Sequence, residues 1–142
     1  MTFNDYIEQS RFRPFSWGDH DCITFANKAC ALQRGKGFAD EFLGEYTTAK
    51  GALITYRRWV RSTKHKDLVS AVDSRLTRLN TTLPPIGSIV AEPYDKKEGV
   101  LPIVFGVCIG RVVCFVGTSK LSIDPVTSDM MFWGVTSGEE KR

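Results

Sequence analysis

The chain is organised around Phe15-Ser16-Trp17-Gly18-Asp19-His20-Asp21-Cys22. An aromatic-Gly turn there delivers a cysteine to the start of an amphipathic run, Cys22-Ile23-Thr24-Phe25-Ala26-Asn27-Lys28-Ala29-Cys30. Cys22, Phe25, Ala26, Ala29, Cys30 and Gln33 recur at helical spacing, which predicts a helix from about Asp21 to Gln33, stopped by Gly35 and Gly37. Asp19, His20 and Asp21 are all N-cap candidates, because a short acceptor side chain satisfies the free N–H groups of a first turn. Cys22 then stands in that first turn, where the partial positive charge of the helix favours a thiolate. The opposing reading makes Cys22 a small buried residue on the inner face, as free cysteines commonly are.

Working outward, residues 3–9 form a short helix, ended by Arg11-Phe12-Arg13-Pro14 because the residue before proline is pushed out of the helical region. Downstream, 38–44 reads as a short helical turn. A second helix opens at Thr47 or Thr48 and runs to about Arg61, and a third is expected from Lys66 to Leu79 on the spacing of Leu68, Val69, Val72, Leu76 and Leu79. This middle region is basic, through Arg57, Arg58, Arg61, Lys64, Lys66, Arg75 and Arg78. Exposed aromatics do not interleave with those cations, so a solvated helix face is expected there and no nucleic-acid partner.

Leu83-Pro84-Pro85-Ile86-Gly87 marks a change to short β-rich runs. The first, Ser88 to Ala91, does not alternate, which implies a strand covered on both faces. Pro93 to Pro102 is a charged loop, and Gly110-Arg111 is a two-residue hairpin turn between Ile103–Ile109 and Val112–Gly117. Leu121–Ile123 and Phe132–Val135 are further strands. Helices first and an antiparallel sheet afterwards define an α+β domain with the helices packed on the sheet. One domain spans 1–142, mainly helical over 1–82, mainly β over 83–136, with a mobile tail at 137–142.

The composition bounds the function. The 142 residues carry a formal charge of only +3 and 42% hydrophobic residues, an ordinary globular balance. No apolar run reaches the length of a membrane span, and the N-terminus has no basic-then-apolar leader. The four cysteines, Cys22, Cys30, Cys108 and Cys114, form no C-x-x-C pair, so no metal site or other cofactor is expected. Cys22 and Cys30 lie about 12 Å apart along one helix, too far for a disulfide. In the hairpin register Cys108 faces Val113 and Cys114 faces Val107, which points the two thiols to opposite sheet faces. Reduced thiols and synthesis in a cytoplasm follow.

A cysteine on a helix before a small antiparallel sheet is the order of the NlpC-type, papain-like cysteine peptidases, which cleave cell-wall peptides. Trp17-Gly18 and Asp21-Cys22 resemble that family's W-G and D-C elements around the nucleophile. Gly87-Ser88-Ile89-Val90 resembles its first-strand motif, and Phe105-Gly106-Val107-Cys108-Ile109-Gly110 resembles the V-G-I-Y-I-G strand that follows its catalytic histidine. The chain is more similar still to short bacteriophage and prophage proteins with an F-x-W-G-x-x-D-C-x-x-F-A signature, a Y-x-x-x-x-G-A element (here Tyr46 to Ala52) and a terminal aromatic strand (here Met131 to Val135). That likeness implies a virion component of the tail tip or baseplate, made in the host cytoplasm, with other tail-tip proteins or bacterial peptidoglycan as partners.

The departure from the peptidase pattern is at Val104, where the family's histidine would stand. Two functions are therefore expected of this chain. In the first, a degenerate hydrolase fold serves assembly, with some of its aromatics anchoring protein contacts. In the second, Cys22 attacks a peptidoglycan peptide or other amide, His20 acts as base, Asp19 or Asp21 orients His20, and Trp17 and Asp21 contact substrate. The first is preferred, because a lone thiol without a positioned base loses most of its rate advantage.

Overall fold

The computed structural model describes residues 1–93 and 103–135. The charged loop expected from Pro93 to Pro102 falls outside them except for Pro93, and so does the tail expected at 137–142.

Four helices precede most of the sheet. Helix α1 (Phe3–Ser10) starts at Thr2, which shares a reciprocal capping box with Asp5. Helix α2 (Cys22–Arg34) starts at Asp21 and ends where Gly35 takes a left-handed φ of 88°. A 3-10 turn (Asp40–Phe42) follows. Helix α3 (Ala49–Ser62) is capped by Thr48, and helix α4 (Leu68–Asp73) by Asp67.

Six strands form one sheet: β1 (Thr77–Leu79), β2 (Ile89–Pro93), β3 (Ile103–Cys108), β4 (Val112–Val116), β5 (Leu121–Pro125) and β6 (Met131–Gly134). Their order is β1-β6-β2-β3-β4-β5, and every neighbouring pair is antiparallel. The α+β expectation holds. So does the hairpin register, with Val107 opposite Cys114 and Cys108 opposite Val113. Cys114 lies in the core on the helix side and Cys108 in the core on the far side. All four cysteines are free.

The third helix differs from expectation. It ends at Asp73, and residues 77–79 leave the helical region to pair with β6. Leu76 stays buried while Arg78 folds back onto the Asp73 carboxylate at 2.9 Å and stacks over Trp133. Edge pairing with β6 gives the backbone partners that a prolonged helix would have found internally. The helical half thus contributes one strand to the sheet.

The helix-side core gathers Phe25, Ala26 and Ala29 of α2 with Ile89, Phe105, Val107 and Trp133 of the sheet. Helix α2 lies on β3, the centre of the arrangement. The far side is closed by Val90, Cys108, Val113, Phe115, Met130 and Phe132. Strand β2 is therefore covered on both faces, as its unbroken apolar run implies.

Candidate functional site at the start of α2

The turn before α2 is a closed loop. Ser16 and His20 exchange backbone hydrogen bonds, with Ser16 N–H on His20 C=O at 3.1 Å and His20 N–H on Ser16 C=O at 2.7 Å. Gly18 turns it at φ 81°. A Cβ there would stand 1.9 Å from the Tyr46 carbonyl oxygen, so glycine is required by both conformation and space.

Asp21 organises everything around this turn. Its Oδ1 accepts from the N–H groups of Ile23 (3.0 Å) and Thr24 (2.9 Å). Its Oδ2 accepts from Gly18 N–H at 2.8 Å and from the Tyr46 hydroxyl at 2.7 Å. Thr24 Oγ1 returns the contact by accepting from Asp21 N–H at 2.8 Å. The Tyr46 hydroxyl meets that of Tyr56 on α3 at 2.9 Å. One buried carboxylate thus ties together the turn, α2, the segment before α3, and α3 itself. Burial and the neighbouring carboxylate hold the Tyr46 hydroxyl firmly protonated, and burial does the same for Tyr56.

Cys22 is the first residue of α2 and is partly exposed. It lies against β3 beside the backbone N–H of Phe105. Burial pushes its thiol up to about 12; the Asp21 charge adds to the rise, and the N–H groups of Phe105, Ile23 and Cys22 oppose it. The activated-thiolate expectation fails for a specific reason. Burial outweighs the nearby N–H groups, and those of Ile23 and Thr24 are shared with the Asp21 carboxylate that caps the helix.

His20 is fully buried, its ring edge-on to Phe25 at 5.8 Å, and neither ring nitrogen has a hydrogen-bond partner among the described residues. Desolvation, with Arg13 nearby, lowers its pKa. Both partners of the expected dyad are thus held neutral, and no hydrogen bond joins them. Asp19 does not orient His20, because its carboxylate pairs with Arg13. Asp21 does not orient it either, and does not face a substrate, because it is 1% exposed and its oxygens are filled from within the chain. Trp17 is partly exposed and packs edge-on against Phe15 at 4.7 Å.

Val104 packs with the far-side core, whereas Ile103, Phe105 and Val107 belong to the helix side. A side chain at 104 therefore projects away from Cys22. Sequence reasoning did not assign Thr24 and Tyr56 to this site. The Asp-x-x-Thr spacing of Asp21 and Thr24 is a readable capping-box signal, whereas nothing local marks Tyr56. Among the described residues no group of three His, Cys, Asp or Glu side chains is gathered for a metal ion, and no helix is long and apolar enough to cross a membrane.

Residues 1–135 match the domain of unknown function DUF6950. The chain belongs to that family. No curated protein and no solved structure matches it. In this DUF6950 domain the shared unit runs from the capping box of α1 to the end of β6, so the Asp21 network and the whole described sheet fall within it.

Proposed function

We propose that this DUF6950 domain is a structural or assembly component of a bacteriophage tail tip, built on a papain-like, NlpC-type scaffold whose chemistry is out of use. The scaffold reading is supported by the cysteine at the start of α2, set against the second strand of an antiparallel β2-β3-β4 run. The tail-tip reading is supported by the F-x-W-G-x-x-D-C-x-x-F-A and Y-x-x-x-x-G-A likenesses, whose residues converge on Asp21 through Gly18 and Tyr46.

One observation carries the loss of chemistry. The only histidine near Cys22 in sequence is buried without a hydrogen bond to it, and burial drives thiol and imidazole away from the charged pair that a cysteine hydrolase uses. The signature motif here builds a junction between elements.

Two measurements test the reading. Mass spectrometry of purified tails from the encoding phage is expected to find the chain, and phage carrying Cys22→Ala are expected to form plaques and lyse as wild type does. A peptidoglycan-peptide hydrolysis by the purified chain that disappears in Cys22→Ala would overturn it.

A further inference from the structure

The exposed face of α3 is cationic. Lys50, Arg57, Arg58 and Arg61 are all exposed and recur at helical spacing on one side. Ala52, Tyr56 and Trp59 are buried on the opposite side. From Tyr46 to Lys66 the sequence carries six Lys or Arg residues and no Asp or Glu, although the whole chain is only +3, so the rest of the chain is net acidic. The ion pairs use other cations, namely Arg11, Arg13, Arg75 and Arg78. Among the described residues no carboxylate pairs with the α3 cations. Glu41 is engaged by Arg75, and Asp67 caps α4.

Arg57 and Arg61 repel each other one turn apart, and that cost remains without a counter-charge. At the centre of this face, between Lys50 and Arg57, stands Ile54, 46% exposed. An apolar centre with an arginine rim is the pattern of a protein-binding patch. The aromatics that would stack on bases, Tyr56 and Trp59, are turned into the core.

We infer that this face of α3, about 16 Å from Lys50 to Arg61, docks on an acidic protein surface that offers an apolar socket for Ile54. The inference rests on the assembly reading above and names its surface and the chemistry of its partner. Charge complementarity supplies orientation and rate of encounter, and Ile54 supplies the desolvated contact.

The test uses the full chain and three labelled probes followed by fluorescence anisotropy: an acidic amphipathic peptide of glutamate and leucine, a glutamate-only peptide of equal charge, and a DNA duplex. The amphipathic peptide is expected to bind tightest. Ile54→Ala should weaken it about tenfold while leaving the glutamate-only peptide unchanged. The combined Arg57→Glu, Arg58→Glu, Arg61→Glu variant should weaken both peptides more than about tenfold. The combined Lys28→Glu, Arg111→Glu, Lys120→Glu variant, which alters exposed cations elsewhere, should change neither. Equal loss in that control, tighter binding of the duplex with no effect of Ile54→Ala, or no peptide binding would each overturn the inference. If the α3 reversal fails to fold by circular dichroism, the Ile54→Ala comparison decides alone. Failure of the assembly reading is seen separately, as absence of the wild-type chain from purified tails.

Discussion

The Tyr46 hydroxyl lies 2.7 Å from Asp21 Oδ2 and 2.9 Å from the Tyr56 hydroxyl, so a single oxygen couples the cap of α2 to α3. Asp21→Asn replaces an oxygen that accepts from Gly18 N–H with an amide that cannot, and is expected to cost about 1–3 kcal/mol of stability. Tyr46→Phe removes two hydrogen bonds, the one to Asp21 and the tyrosine–tyrosine bond, and should cost about 1–3 kcal/mol. Because Tyr46 and Tyr56 share that bond, the double Tyr→Phe variant should cost less than the two singles added. Urea midpoints at fixed slope, with the Tyr56→Phe single alongside, measure all four variants. A neutral Tyr46→Phe would mean that the tyrosine pair does not hold the junction.

Gly18→Ala meets two obstacles together, the left-handed φ of 81° and a contact of 1.9 Å with the Tyr46 carbonyl oxygen. The loss should exceed about 2 kcal/mol, since the Gly18–Asp21 hydrogen bond must shift with the backbone. Thermal unfolding followed by circular dichroism reads it, with the exposed Gly44→Ala as a comparison at φ 78° with open space around it.

The Cys22 thiol offers a direct view of the site's electrostatics. With the other cysteines replaced, its alkylation should be slow at neutral pH and should rise only as the pH approaches about 12, well above an ordinary thiol. Val104→His should leave that profile unchanged, because position 104 belongs to the far-side core. A drop of the thiol's pKa toward neutrality in Val104→His would show that β3 can turn this residue toward α2. The raised thiols also bear on stability. Cys22, Cys30 and Cys114 are held at about 12, 11 and 12, so the unfolded chain loses those protons first. Their contribution is complete below roughly pH 8.5 and declines as the pH rises from there toward 11–12.

The parts of this fold written in local chemistry were legible in the sequence. Asp21 and Gly35 bound α2 within a residue of expectation, because cap chemistry needs only the neighbouring backbone. The Gly110-Arg111 turn fixed the β3–β4 register for the same reason. The segment 66–79 was not legible. Leu68, Val72, Leu76 and Leu79 have helical spacing, yet Leu79 pairs with Phe132, more than fifty residues away, and that edge decides the conformation. The site divides in the same way. Asp21 as a cap was readable, whereas its bond to Tyr46 crosses 25 positions and has no local pattern. The burial of His20 depends on the closed 16–20 loop and on Phe25, so a residue that read as a turn position or a base became part of the core.

That buried histidine makes the stability of the domain depend on pH on the acid side of neutrality. The groups acting on the ring are Arg13, which disfavours its charge together with desolvation, and Asp19 and Asp21, which favour it less strongly. Its folded pKa therefore lies below 6.5, and between the two values the unfolded chain binds a proton that the native state excludes. The contribution is fully present above pH 6.5 and is lost as the pH falls below it. His20→Leu removes the titration and keeps the apolar contact with Phe25. The stability difference between wild type and His20→Leu, from urea midpoints, should shift in favour of the variant as the pH falls from 7 to 5. The carboxylate pairs, which weaken at still lower pH, cancel in that difference. A difference that stays flat across the window would mean that the ring finds solvent or a partner when it charges.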